Sequence, residues 1–148
     1  MDRRLKAFSL VELIIVVVVI GLIAAIAVPR FSKASEEAST AAMKANIDEI
    51  QKAVDLYQAE HGDYPLTIDP AWFISQEVPP HVFSPDNPVA VEIATEVDLW
   101  NPVSISVNPE NDWTGYWYNP NNGVVRSRVT DQGTAARTLL LYQKVNGL

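Results

Sequence analysis

A single carboxylate, Glu12, lies within an otherwise apolar run of 21 residues, Phe8 to Val28, which reads FSLVELIIVVVVIGLIAAIAV. Near a bilayer centre such a group costs a few kcal/mol or more, less near the edge, and it is usually retained because it finds a partner. The chemistry this implies is ion pairing rather than catalysis. Elsewhere the candidates for chemistry are sparse. His61 and His81 are the only histidines, and neither has a ligand-spaced partner. Ser75 and Ser84 lack a nucleophile motif such as G-x-S-x-G, and no phosphate loop or dinucleotide fingerprint occurs. Asn108, Glu110 and Asp112 alternate like the start of a calcium loop, but Trp113 stands where an EF-hand needs Gly and Asn119 where it needs Glu. The chain has no cysteine, which excludes disulfides and thiolate metal sites. No enzyme activity, cofactor or metal site is expected. The aromatics Trp100, Trp113, Tyr116, Trp117 and Tyr118 could bind a sugar or a partner, although packing anchors in a small domain are the commoner use.

The elements around Glu12 set its context. About 20 apolar residues in a helix cross a bilayer core. Arg3, Arg4 and Lys6 precede the run and no positive charge follows until Arg30. Positive charge stays cytoplasmic, so the short leader faces the cytoplasm and the C-terminal region lies outside. Three readings compete: a plain signal anchor, a secretory signal peptide cut between Ala27 and Val28 after the small-x-small run Ala25-Ile26-Ala27, and a short leader processed ahead of a retained helix. Only the last gives Glu12 a purpose. Pro29 lacks an N–H and should kink or locally melt a continuing helix. Helical spacing resumes after it: Phe31, Ala34, Ala38, Ala42, Ala45, Ile47, Ile50, Val54 and Tyr57 recur at three- and four-residue steps, with one break near Ile47. His61-Gly62 supplies a stop. One kinked helix from Phe8 to His61 is the prediction.

These residues resemble the N-terminus of the type IV pilin and type II secretion pseudopilin family. The resemblance rests on Lys6-Ala7, then Phe8-Ser9-Leu10-Val11-Glu12-Leu13-Ile14, then Gly21, Pro29 and Arg30-Phe31. It implies that a prepilin peptidase cuts between Ala7 and Phe8, that the new amine of Phe8 is methylated, and that Glu12, Gly21 and Pro29 occupy the family's fifth, fourteenth and twenty-second mature positions. Ala7 departs from the usual Gly, and Ser9 from the frequent Thr. In that family the Glu of an incoming subunit pairs with a neighbour's N-terminal amine and sets the register of helices packed in a filament core. Expected partners follow: other copies, related pilins or pseudopilins, the peptidase and methyltransferase, an inner-membrane assembly platform, and lipid before assembly. A shorter resemblance, Gly62-Asp63-Tyr64-Pro65, is to the turn that follows the long helix in major pseudopilins. Their C-terminal loop often holds calcium, but its acidic ligands have no counterparts here.

Charge and patterning complete the expectations. The formal net charge is −7; taking away Arg3, Arg4, Lys6 and Asp2 leaves −9. Such a surface repels phosphate backbones, so nucleic acid is not an expected partner. Six prolines punctuate residues 65–88, where Asp69-Pro70 could open a short helix through Gln76. Val89 to Val97 alternates like a strand, Ile105 to Val107 more weakly so, and Tyr116–Tyr118 with Val124–Val129 reads as a hairpin about an Asn119–Gly123 turn. Ala135 to Val145 suits a short helix capped by Thr134. The predicted architecture is α+β: a leader (1–7), a transmembrane or filament-core helix (8–29), its amphipathic continuation (30–62), and a small antiparallel β-rich region (63–148). The leading functional expectation is a filament subunit, a type II secretion pseudopilin ahead of a type IV pilin. The opposing one is a signal-anchored binding module that uses its aromatic loop.

Overall fold

The computed structural model describes residues 8–83, 90–107 and 114–148. The fold is α+β. The chain divides into two compact units, one ending at Glu37 and the other spanning Ala38–Leu148. Helix α1, Leu10–His61, contributes to both. Its backbone is helical straight through Pro29, so the expected local melting does not occur. A proline removes one N–H from the ladder, and the turns on either side keep theirs.

In the first unit the large apolar side chains from Leu10 to Val28 are all exposed. A helix apolar all round with nothing against it needs lipid or other helices as its surroundings, and this one is long and apolar enough to cross a membrane.

The second unit has a core where α1 meets a small sheet. Met43, Ile47, Ile50 and Val54 are buried, with Thr40 beside them. This corrects the stripe read from the sequence: Phe31, Ala34, Ala38, Ala42 and Ala45 are exposed. The interruption at Ile47 marked the true stripe, which reaches Ile47 from Thr40 and Met43 at steps of three and four.

Strand β1 is Ala90–Ile93, β2 is Thr114–Asn119 and β3 is Val124–Ser127, in the order β1-β2-β3. β2 and β3 form the expected hairpin, with Tyr116 opposite Ser127 and Asn119 opposite Val124. Its turn closes where the Gly123 N–H donates to the Asn119 carbonyl at 2.8 Å, and Gly123 takes the left-handed φ of 70° that favours glycine. The sheet is not the antiparallel one expected. β1 runs parallel to β2, making it mixed. A tight turn would have forced antiparallel pairing, whereas residues 94–113 form a connection long enough to cross over. The strand expected over 89–97 ends at Ile93, and residues 105–107 contribute one isolated bridge, Ser106 to Val129. The helix expected after Asp69 shortens to a 3₁₀ turn, Pro70–Trp72, because Phe73 is already extended. Helix α2, Ala135–Asn146, forms as predicted: Thr134 Oγ1 accepts from the Arg137 N–H, and Gly147 closes it with φ 67°.

Two side-chain amides occupy the outer edge of β3. Gln51 of α1 donates to the Gly123 carbonyl at 2.8 Å and accepts from the Val125 N–H at 3.1 Å. Asn146 of α2 accepts from the Ser127 N–H at 2.8 Å and donates to its carbonyl at 2.9 Å. Each mimics a strand and blunts an edge that would otherwise invite pairing.

Candidate functional site: the N-terminal helix and the domain surface

Phe8 is exposed and Ser9 precedes the helix. The Ser9 hydroxyl accepts from the Val11 N–H at 3.2 Å, and the Glu12 carboxylate accepts from the Ser9 N–H at 3.0 Å. Ser9 and Glu12 therefore form a reciprocal capping box, with the carboxylate at the positive end of the helix dipole. The S-x-x-E spacing was there to be read in Ser9-Leu10-Val11-Glu12, and the reading that assigned Glu12 only to a neighbour missed it. Ser9 keeps its peptide N–H whether the chain begins at Met1 or at Phe8, so this cap survives cleavage.

Of the other predicted site residues, Ala7 lies outside the described residues. Gly21 sits mid-helix, where an added Cβ would meet nothing within 4 Å. Pro29 lies within the helix. Ser9 joins Phe8 to Glu12 at the helix start, while Gly21 and Pro29 lie two and a half and five turns further on.

The aromatic residues divide. Tyr116, Trp117 and Tyr118 are fully buried in β2, so they serve packing. Trp113 lies outside the described residues, as do the calcium-like Asn108, Glu110 and Asp112. Among the described residues no cluster of three or more His, Asp or Glu could hold a metal. Among the described members of the set, Trp100 alone stands out in solvent, on a loop that polar contacts hold in place. The fully buried Asn119 donates to the carbonyls of Glu96, Val97 and Leu99 at 3.3, 3.4 and 2.8 Å. Asn122 adds a second bond to the Leu99 carbonyl, and the Tyr142 hydroxyl donates to Asn101.

His81, also unassigned from sequence, is 3% exposed. Its Nε2 lies 3.0 Å from Ser127 Oγ and 3.2 Å from the Arg128 carbonyl. The Ser127 hydroxyl itself donates to that carbonyl at 2.8 Å. The ring proton is thus on Nε2, and Nδ1 is buried without a hydrogen-bond partner among the described residues. Burial holds the imidazole down at about 4, against a weaker upward pull from the Arg128 carbonyl. Close by in sequence, the Arg128 guanidinium is matched by Glu92 at 2.6 Å. None of this resembles a catalytic constellation; it is a neutral histidine built into a core.

Residues 2–28 match the prokaryotic N-terminal methylation motif. The chain is 34% identical over 65 residues to a type II secretion system core protein G of Pseudomonas aeruginosa, covering 44% of this chain and 46% of that one. It is 30% identical over 67 residues to the same-named protein of Dickeya chrysanthemi, covering 45% and 44%. It is 47% identical over 51 residues to the type IV narrow pilus major component PilA5 of Thermus thermophilus, covering 34% and 40%. Each alignment spans less than half of the relative's length. No solved structure matches the chain significantly. The chain thus carries a prepilin-type N-terminus and is similar, over less than half of its length, to pseudopilins and type IV pilins.

Proposed function

We propose that this chain is a structural, non-catalytic subunit of a type IV pilin-like filament, of the type II secretion pseudopilin kind. One observation carries the reading: a carboxylate at the head of a bare apolar helix, within a matched methylation motif. In this account prepilin peptidase cuts between Ala7 and Phe8 and the Phe8 amine is methylated. The mature chain sits in the inner membrane, with residues 8–29 as the spanning segment and residues 63–148 outside. It then leaves the bilayer for a growing fibre, where apolar helix packing replaces lipid. Two opposite charges in apolar surroundings are tolerable only as a pair, so Glu12 meets a neighbour's Phe8 amine. Gly21 lets helices approach closely, and Pro29 removes one ladder hydrogen bond at the exit from the membrane segment without ending the helix. The relative named as a pilus component supports a second reading, a pilin of a type IV pilus.

The capping box makes the test sharper. Glu12→Ala removes both cap and charge. Glu12→Gln removes the charge alone, because Gln also serves at this position of a capping box. Both variants should insert in the membrane, and both should fail to give normal filaments by electron microscopy. Normal filaments from Glu12→Gln would show that the charge pair is not what sets assembly.

A further inference from the structure

The loop between β1 and the isolated bridge at Ser106, residues 94–105, is pinned from within. At its start the Ala94 N–H donates to the Tyr118 carbonyl at 2.8 Å, and at its end the Ile105 carbonyl accepts from the Val129 N–H at 3.0 Å. Side chains of the sheet and of α2 hold the backbone in between. The fully buried Asn119 spends its amide on the carbonyls of Glu96, Val97 and Leu99, and Arg128 Nε donates to the Ser104 carbonyl at 2.8 Å. The Tyr142 hydroxyl donates to Asn101 Oδ1 at 2.9 Å. Buried polar groups satisfied in this way rigidify what they touch.

The large side chains that this loop leaves in solvent are apolar. Val97 is 63% exposed, Trp100 62% and Val103 91%. Single apolar side chains in water are ordinary. Three of them within seven residues, on a backbone held at both ends and in the middle, form a prepared contact. Trp is among the residues most enriched at binding hot spots, and a fixed loop gives up little conformational entropy when it is bound. Two acids, Glu96 and Asp98, are exposed among them, and residues 94–105 contain no base.

Charge selects the occupant. Residues 38–148 carry fourteen acidic and six basic side chains, so the same unit of a second copy would meet the loop with like charge. Anionic lipid headgroups are repelled for the same reason. A sugar stacked on Trp100 would need hydrogen-bonding side chains beside the ring. The Asn119 and Asn122 amides are already turned to loop carbonyls, and Asn101 Oδ1 to Tyr142. We infer that the Val97/Trp100/Val103 loop is a docking surface for a different protein, one that offers Trp100 an apolar recess with Lys or Arg at its rim to meet Glu96 and Asp98. The buried aromatic gives affinity, and the two acids steer the encounter and fix its register. The inference stands on the second unit alone and holds whether or not the chain assembles into a fibre.

Photo-crosslinking tests it, with benzoylphenylalanine replacing Trp100 or, separately, Val103 in the full-length protein expressed in its own host. Both positions are exposed, so folding should persist, and an unchanged urea midpoint checks that. Illumination should join the chain to a different protein, with the bond mapped by mass spectrometry to a segment that sets apolar residues beside Lys or Arg. Glu96→Lys combined with Asp98→Lys should lower the yield of that product about fivefold or more. Products made only of this chain, of glycan or of lipid, or no product at either position, would overturn the proposal. A yield indifferent to the charge reversal would overturn it as well.

Discussion

Acid should weaken this fold through His81 in particular. The imidazole is neutral in the folded state, with Nε2 bound to Ser127 and Arg128 and the ring packed against Gly115. The rings of Tyr116 (5.1 Å, 84°) and Phe83 (6.0 Å, 67°) enclose it edge-on. Burial of the ring outweighs the upward pull of the Arg128 and Gly115 backbone, so a second proton is disfavoured. The folded value is about 4 against an ordinary 6.5, so between these pH values the unfolded chain binds the extra proton and the folded chain does not. Stability therefore rises with pH across the window: the contribution is complete above 6.5 and is lost as pH falls toward 4. At about 1.4 kcal/mol per pH unit, the loss between pH 7 and pH 4.5 amounts to about 2 kcal/mol. Carboxylates also titrate there, so the informative quantity is a difference. Urea unfolding of the full chain in micelles, followed by tryptophan fluorescence with the buried Trp117 as reporter, would be run on the wild type and on His81→Gln. The variant should be destabilised at pH 7, and the gap should narrow by about 2 kcal/mol at pH 4.5. A gap independent of pH would refute the argument that burial keeps this imidazole neutral.

Two further perturbations bear on the domain. At Gly115→Ala the added Cβ would fall 2.4 Å from His81 Cγ and 2.5 Å from Cδ2, and the enclosed ring cannot retreat. A cost of about 1–3 kcal/mol is expected, as for other overpacked cores, read as a lower urea midpoint at unchanged slope. Asn119→Ala removes the anchor of the Glu96–Leu99 turn: the Glu96 and Val97 carbonyls lose this donor, and the Leu99 carbonyl keeps only Asn122. Destabilisation of about 2 kcal/mol or more and faster proteolysis near Trp100 should result; an unchanged cleavage rate would mean that Asn122 and Tyr142 suffice to hold the loop.

What could be read from the sequence is what depends on near neighbours. The apolar run, the stop at His61-Gly62, the Asn119–Gly123 hairpin and the Thr134 cap are settled within a few residues, and each appears in the structure. The parallel pairing of β1 is decided by a crossover of some twenty residues, and alternation in Val89–Val97 carries no information about direction. Gln51 and Asn146 read as ordinary helix-surface amides; their role at the β3 edge exists only once helices and sheet are brought together. His81 is similar, because its partners Ser127 and Arg128 lie 46 and 47 residues away. At the candidate site the opposite holds. Ser9 and Glu12 are three residues apart, so the capping box is legible in the local sequence alone.

The central claim is that this chain is processed as a prepilin and keeps its apolar helix for assembly. Mass spectrometry of the N-terminal peptide, from protein made in its own host, tests it most directly. The account predicts a peptide that begins at Phe8 and is heavier by one methyl group on its amine. A peptide beginning at Val28, or at Met1, would contradict it: the helix would then be a discarded signal or a plain anchor, and the exposed Trp100 loop of a binding module would become the leading explanation.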